Sequence, residues 1–153
     1  MAYLNTEDAR RIYFEYYPGN KVPVMLIHGW GMSCRVWDTT LVALQAAGHA
    51  VVSYDQRGCG SSDKDFNEVS ITSSARDAVA LLAHLGIERA VLNGWSLGGA
   101  IAVEAASTRM NFGVWMMFSV ASATRSWNFG RFIVSATTMP GPPSEGVCDK
   151  IRV

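Results

Sequence analysis

The sequence predicts an α/β fold, a three-layer sandwich in which a mostly parallel sheet is covered by helices on both faces. Two observations carry this. Across the first two thirds of the chain the period of the apolar residues alternates between strand-like and helix-like, and the strand-like runs end in glycine-bearing loops. A length of 153 residues with 49% hydrophobic side chains also suits one domain with a buried core.

The elements follow in order. Ile12 to Tyr17 is aromatic and β-branched and stops at Pro18-Gly19, which reads as a strand. Val22 to Ile27 is a short continuous apolar run ending at His28-Gly29, as in a strand buried on both faces. Val36, Trp37, Leu41 and Leu44 recur at helical spacing, with Gly48 placed to end the helix. Ala50 to Tyr54 is strand-like again and runs into Asp55-Gln56-Arg57-Gly58-Cys59-Gly60. Ala75, Ala78, Val79, Leu82 and Leu85 mark a second helix, with Ser74 and Asp77 as a weak capping box and Gly86 at the far end. Ala90 to Asn93 is the next strand, and alanine-rich Leu97 to Ser107 the next helix. Val114 to Phe118 fits one more buried strand. From Ser119 to Val153 no clean period remains, and Met139-Pro140-Gly141-Pro142-Pro143 cannot continue a helix or a central strand. The expected organisation is therefore a domain over 1–118 and a poorly specified tail over 119–153.

Charge and cysteine usage exclude several classes. Thirteen basic side chains balance thirteen acidic ones, so there is no basic excess for nucleic acid or for an anionic membrane. Cys34, Cys59 and Cys148 are widely spaced and form no CxxC, which argues against a disulfide framework and for a reducing, cytoplasmic setting. The first dozen residues, with Glu7, Asp8, Arg10 and Arg11, lack the apolar stretch of a signal peptide. The longest strongly apolar uncharged run, Met110 to Thr124, is shorter than the roughly 20 residues of a spanning helix. A soluble protein is expected.

Gly94-Trp95-Ser96-Leu97-Gly98 fits G-x-S-x-G between a predicted strand and a predicted helix. A sharp strand-to-helix turn lifts the serine hydroxyl above the sheet, and the free amides and positive end of the helix opening at Leu97 can stabilise an oxyanion. On spacing alone, a serine N-cap on an alanine-rich core helix stays open as an alternative. His28-Gly29-Trp30-Gly31 closes the first buried strand, where a second backbone donor would be supplied. Taken alone, it is equally a tight loop. The three histidines, His28, His49 and His84, share no metal-ligand spacing, and Gly58 and Gly60 complete no dinucleotide fingerprint, so neither metal nor cofactor is expected. His49 reads as a surface residue in a turn, and His84 as a partly buried packing residue. Cys59 beside Arg57 reads as a loop residue rather than an activated thiol.

Three segments together, His28 to Gly31, Asp55 to Ser62 and Gly94 to Gly99, resemble the signature segments of the α/β-hydrolase superfamily, in order and at similar separations. The tryptophan-bearing forms resemble carboxylesterases of the pimeloyl-carrier-protein methyl ester esterase type, and more loosely cofactor-free haloperoxidases. Asp55 to Gly60 is similar to the corresponding segment of proline iminopeptidases. The resemblance implies an α/β-hydrolase fold whose C-terminal part is incomplete. It implies a small-molecule carboxylic ester as substrate, Ser96 as nucleophile, and the backbone amides of Trp30 and Leu97 as the oxyanion hole. Serine at position 96 separates the chain from the epoxide hydrolases and haloalkane dehalogenases, which place aspartate there. It implies for His28 a structural place in the oxyanion loop.

In this superfamily the acid and the histidine follow the nucleophile. Here all three histidines precede Ser96, and the acids that follow are Glu104, Glu145 and Asp149. A serine without a base is a weak nucleophile at neutral pH. The expectation is therefore a serine esterase by descent, with, as the alternative, a truncated, inactive hydrolase-fold domain that binds a small apolar ligand or a partner chain or has no independent role. An unfinished sheet would expose a strand edge, which favours self-association.

Overall fold

The computed structural model describes residues 2–108 with their side chains, and the backbone of two further strands at 114–119 and 132–136. Its strands are β1 (Ala2–Asn5), β2 (Arg11–Tyr17), β3 (Lys21–Ile27), β4 (His49–Tyr54), β5 (Val91–Trp95), β6 (Val114–Ser119) and β7 (Phe132–Ala136). Its helices are α1 (Asp38–Ala46), entered through a 3₁₀ turn at Cys34–Trp37, α2 (Ile71–His84) and α3 (Leu97–Thr108). The strands form one sheet in the order β1-β2-β4-β3-β5-β6-β7. The four central strands are parallel to one another, whereas β1, β2 and β7 pair antiparallel. Ile27 lies opposite Gly94, and Gly94 opposite Phe118, so the carboxyl ends of β3, β5 and β6 are level.

Side-chain alternation along β3 divides the core. Met25 and Ile27 pack with Ala78 and Leu81 of α2 and Ile101 and Ala105 of α3. Val24 and Leu26 pack with Leu41 of α1 on the other face, joined by Trp37 and Leu44. Two opposite faces with helices on each make the three layers. Each fully buried aliphatic side chain here, such as Leu26, Ile27, Leu81 or Ile101, contributes about 1.5–3 kcal/mol.

The helix ends show where local chemistry decides. Gly86 has φ +66° and closes α2 with paired bonds, Gly86 N–H to the Ala83 carbonyl and Ile87 N–H to the Leu82 carbonyl. That is a Schellman ending, and glycine reaches the left-handed conformation without strain. The start of α2 corrects the sequence reading. The capping box is Ser70 with Ser73, not Ser74 with Asp77: Ser73 N–H donates to Ser70 Oγ at 3.0 Å and Ser70 N–H to Ser73 Oγ at 2.9 Å. The helix thus begins a turn earlier, and Asp77 is left for another partner.

Two strands carry no sequence signal of their own. In β1 only Leu4 is buried, so its four residues show neither alternation nor an apolar run. β7 lies within the stretch without a clean period and pairs with β6 from Val114↔Ala136 to Phe118↔Phe132. The rest of the expected tail, 120–131 and 137–153, lies outside the described residues. Among the described residues no helix is long and apolar enough to cross a membrane.

Candidate active site

Ser96 stands between the end of β5 and the start of α3, with φ +54°. A non-glycine residue in the left-handed region costs about 1–3 kcal/mol and persists only where its surroundings demand it. The surroundings are backbone. A side chain at position 94 would meet the Gly98 carbonyl and the Gly99 amide nitrogen, and one at 98 would meet the Ile27 and His28 carbonyls. The two glycines let the helix start fold back onto β5 and press against the end of β3. The Ser96 side chain is left exposed.

The loop after β3 reaches the same place. A methyl built on Gly29 would lie 3.5 Å from Ser96 Cβ and 3.4 Å from the Trp95 carbonyl oxygen. Trp30, the next residue, is 73% exposed, and Leu97 is half-buried at the first position of α3. The structure therefore brings Gly29 against Ser96 at the carboxyl edge of the sheet, with Trp30 and Leu97 the next residues along the chain from each.

His28 is fully buried. Its Nδ1 lies 2.7 Å from the Gly29 carbonyl, and its Nε2 accepts the Gln56 backbone N–H at 3.0 Å. An acceptor at Nε2 requires the proton at Nδ1, so both ring nitrogens are engaged in the neutral form. Burial pushes His28 below the ordinary value of 6.5, opposed by its bond to Gly29 and by the Asp55 charge. The stability this neutral ring contributes is complete above the unfolded value and is lost as pH falls toward the lower folded value. Urea midpoints should accordingly start to fall below about pH 6.5, well before the carboxylates Asp8 and Glu15, held below 3.8 and 4.5, begin to protonate. A His28→Asn variant should lose that early decline; an unchanged profile would refute a buried neutral ring.

The other histidines are far from the serine. His49 opens β4, at the amino end of the sheet, and its Nδ1 lies 2.8 Å from the Val22 carbonyl. It is half-buried where β4 begins beside β3, and its ring contact with Val22 lies at the exposed surface. His84 ends α2 with its ring edge-on to Phe14 and is exposed, not partly buried, because the helix ends there and turns away. Glu104 is half-buried on α3 and accepts from Thr72 Oγ1 at 3.3 Å. Glu145 and Asp149 lie outside the described residues. Among the described residues no group of three or more His, Cys, Asp or Glu is arranged to hold a metal ion.

Buried polar groups that sequence reasoning did not single out surround the serine's neighbours. Asp55 is 2% exposed, and its carboxylate accepts Cys34 N–H at 2.6 Å and Ser61 N–H at 2.7 Å. Gln56 is 4% exposed and donates from its side-chain amide to the His28 carbonyl. Arg57 pairs with Asp77 through Nε at 2.5 Å and Nη2 at 2.9 Å. A cavity of about 330 Å³ opens beside that pair, lined in part by Asp8, Glu68 and Arg76. Neither Ser96, Trp30 nor Leu97 lines it, so it is separate from the serine. The signal for these residues lay in the Asp55 to Ser62 segment, but their partners are distant in sequence.

Comparison with known proteins agrees with this fold. A family profile described as alpha/beta hydrolase fold matches residues 22–134. The chain is 34% identical over 99 residues to a non-heme haloperoxidase of Rhodococcus erythropolis, covering 65% of this chain and 36% of that one. It is 38% identical over 106 residues to a putative carbamate hydrolase, RutD, of Azorhizobium caulinodans, covering 69% and 39%. An esterase from Exiguobacterium antarcticum superposes with a TM-score of 0.70 at 25% identity, over 76% of this chain and 44% of that one. The chain thus spans less than half the length of these relatives. The match over residues 22–134, with the sheet order and the turn at Ser96, makes the chain a member of the alpha/beta hydrolase fold family.

Proposed function

We propose that this chain carries the nucleophile and oxyanion hole of a serine hydrolase acting on small-molecule carboxylic esters. Ser96 Oγ attacks the ester carbonyl, and the amides of Trp30 and Leu97 bind the tetrahedral oxyanion. The alcohol leaves with a proton, and water then releases the acid from the acyl-enzyme. No cofactor takes part in these steps. The observation that carries the reading is Ser96 at φ +54° with Gly29 against its Cβ. Esterases among the structural relatives support the substrate class.

A second reading, a hydrolase-fold domain without turnover of its own, is favoured by the three histidines, none of which is placed to take the serine proton. Labelling with a fluorophosphonate in alkaline buffer separates nucleophile from base, because hydroxide then takes the proton. Adduct on Ser96 by mass spectrometry, absent in Ser96→Ala, supports the nucleophile. Labelling elsewhere, or equal labelling of both proteins, overturns it.

A further inference from the structure

We propose that Asp55 and Gln56 are positioning residues of the oxyanion loop, gripping it at both ends so that the Trp30 amide stays where negative charge develops. This rests on the reading of Trp30 as an oxyanion donor. The loop from His28 to Ser33 contains two glycines, Gly29 and Gly31, the latter at φ +67°, and its exposed tip is Trp30. Within it the Met32 N–H to Gly29 carbonyl bond is long, at 3.4 Å. Such a segment does not hold its own shape.

Its restraint comes from the end of β4. Gln56 binds the entry of the loop twice, from its backbone N–H to His28 Nε2 at 3.0 Å and from its side-chain amide to the His28 carbonyl. Asp55 binds the exit through the Cys34 N–H at 2.6 Å. The same carboxylate takes the Ser61 N–H at 2.7 Å, and the Asp55 carbonyl takes Ser62 Oγ at 2.6 Å, so the grip is itself anchored. A side chain at Gly60 would collide with the Asp55 carboxylate, which leaves that carboxylate no room for a bulkier neighbour. Two adjacent buried residues thus fix both ends of one loop, across 28 and 21 positions of sequence. An oxyanion donor contributes about 10²–10³ in rate only if it is held in place, and a misplacement of about 1 Å forfeits about a hundredfold.

The test compares wild type with Gln56→Met, which keeps volume but removes the side-chain donors, and with Asp55→Asn, which leaves one amide unaccepted. Ser70→Ala, which removes the α2 cap far from the loop, is the control for lost stability. Amide exchange at Met32 and Cys34, whose N–H groups are bonded to the Gly29 carbonyl and the Asp55 carboxylate, should rise about tenfold in the two loop variants, the loss of one hydrogen bond. The saturating rate of Ser96 phosphonylation in alkaline buffer should fall at least about tenfold, with half-saturation by the probe unchanged. Ser70→Ala should change neither. Unaltered exchange in both loop variants, or an equal fall in labelling for Ser70→Ala, overturns the proposal. Failure of wild-type Ser96 to react at all overturns the nucleophile reading, and the positioning role with it. Exchange then still decides whether the loop is gripped.

Discussion

Purified chain is expected to cleave a short-chain p-nitrophenyl ester scarcely faster than buffer at neutral pH, with little further loss in Ser96→Ala. The expectation follows from where the histidines sit. A general base must come within about 2.6–3.2 Å of the serine hydroxyl, directly or through one water. His28 has its Nε2 lone pair committed to the Gln56 amide and its Nδ1 to the Gly29 carbonyl, and burial further disfavours its protonated form. A base that cannot accept a proton without breaking its bond from the Gln56 amide and charging a buried ring is no base. His49 begins β4 and lies roughly 16 Å along the strand from its carboxyl end, at about 3.3 Å per residue. His84 sits at the end of α2 against Phe14. In a serine-protease triad the loss of histidine alone lowers kcat by about 2 × 10⁶. What remains is substrate binding and the oxyanion hole, neither of which needs Ser96 Oγ. Robust turnover that disappears in Ser96→Ala would contradict this and show that a base reaches the serine, from this chain or from a partner. Turnover equal to buffer, together with a Ser96 adduct in alkaline solution, would show a nucleophile without its base.

The parts of this molecule that the sequence reveals are those whose physics is local. β2 to β5 and α2 and α3 are visible because their buried residues recur at the period of the element. The turn at Ser96 is visible because its close backbone approaches admit only glycine at 94 and 98, and that requirement is written as G-x-S-x-G. β1 is hidden because one buried leucine in four residues makes no pattern. The start of α2 is misread because Ser70, Thr72, Ser73 and Ser74 all offer capping hydroxyls, and the choice falls to Ser70 through its extended backbone at φ −133° and ψ 167°. Asp55, Gln56 and Asp77 are hidden for a different reason. Their roles are defined by partners about 20 to 28 positions away, and neither spacing nor periodicity reports a hydrogen bond across the fold. Asp77 in particular looks like a capping residue until Arg57 is placed beside it. The exposures of His49 and His84 are likewise set by what packs over them, not by their neighbours in sequence.

Breaking the Arg57–Asp77 pair from one side should destabilise the fold by about 3–5 kcal/mol, among the largest single-residue effects available in this chain. The Arg57 side chain is 7% exposed and that of Asp77 6%. Beyond its two bonds to Asp77, the guanidinium donates to the Glu68 carbonyl at 2.8 Å, approaches Asp8 at 3.3 Å, and lies 4.7 Å over the Phe66 ring. It thereby joins the β1–β2 turn, the loop before α2 and α2 itself. The two partners are not equivalent. Burial raises the Asp77 carboxyl, against the pull of Arg57, so in an Arg57→Met variant Asp77 can take a proton and shed its charge. Arg57 has no such escape, because a guanidinium stays protonated throughout the accessible range. Asp77→Ala, which leaves that cation buried with only the more distant, partly exposed Asp8, should be the more damaging of the two. Replacing both, as Arg57→Met with Asp77→Leu, removes the stranded charge and should recover much of the loss, giving a double mutant well short of the sum of its singles. Urea unfolding of the four proteins measures this directly. Additive singles, each worth under about 1 kcal/mol, would reduce the pair to the level of an ordinary surface salt bridge.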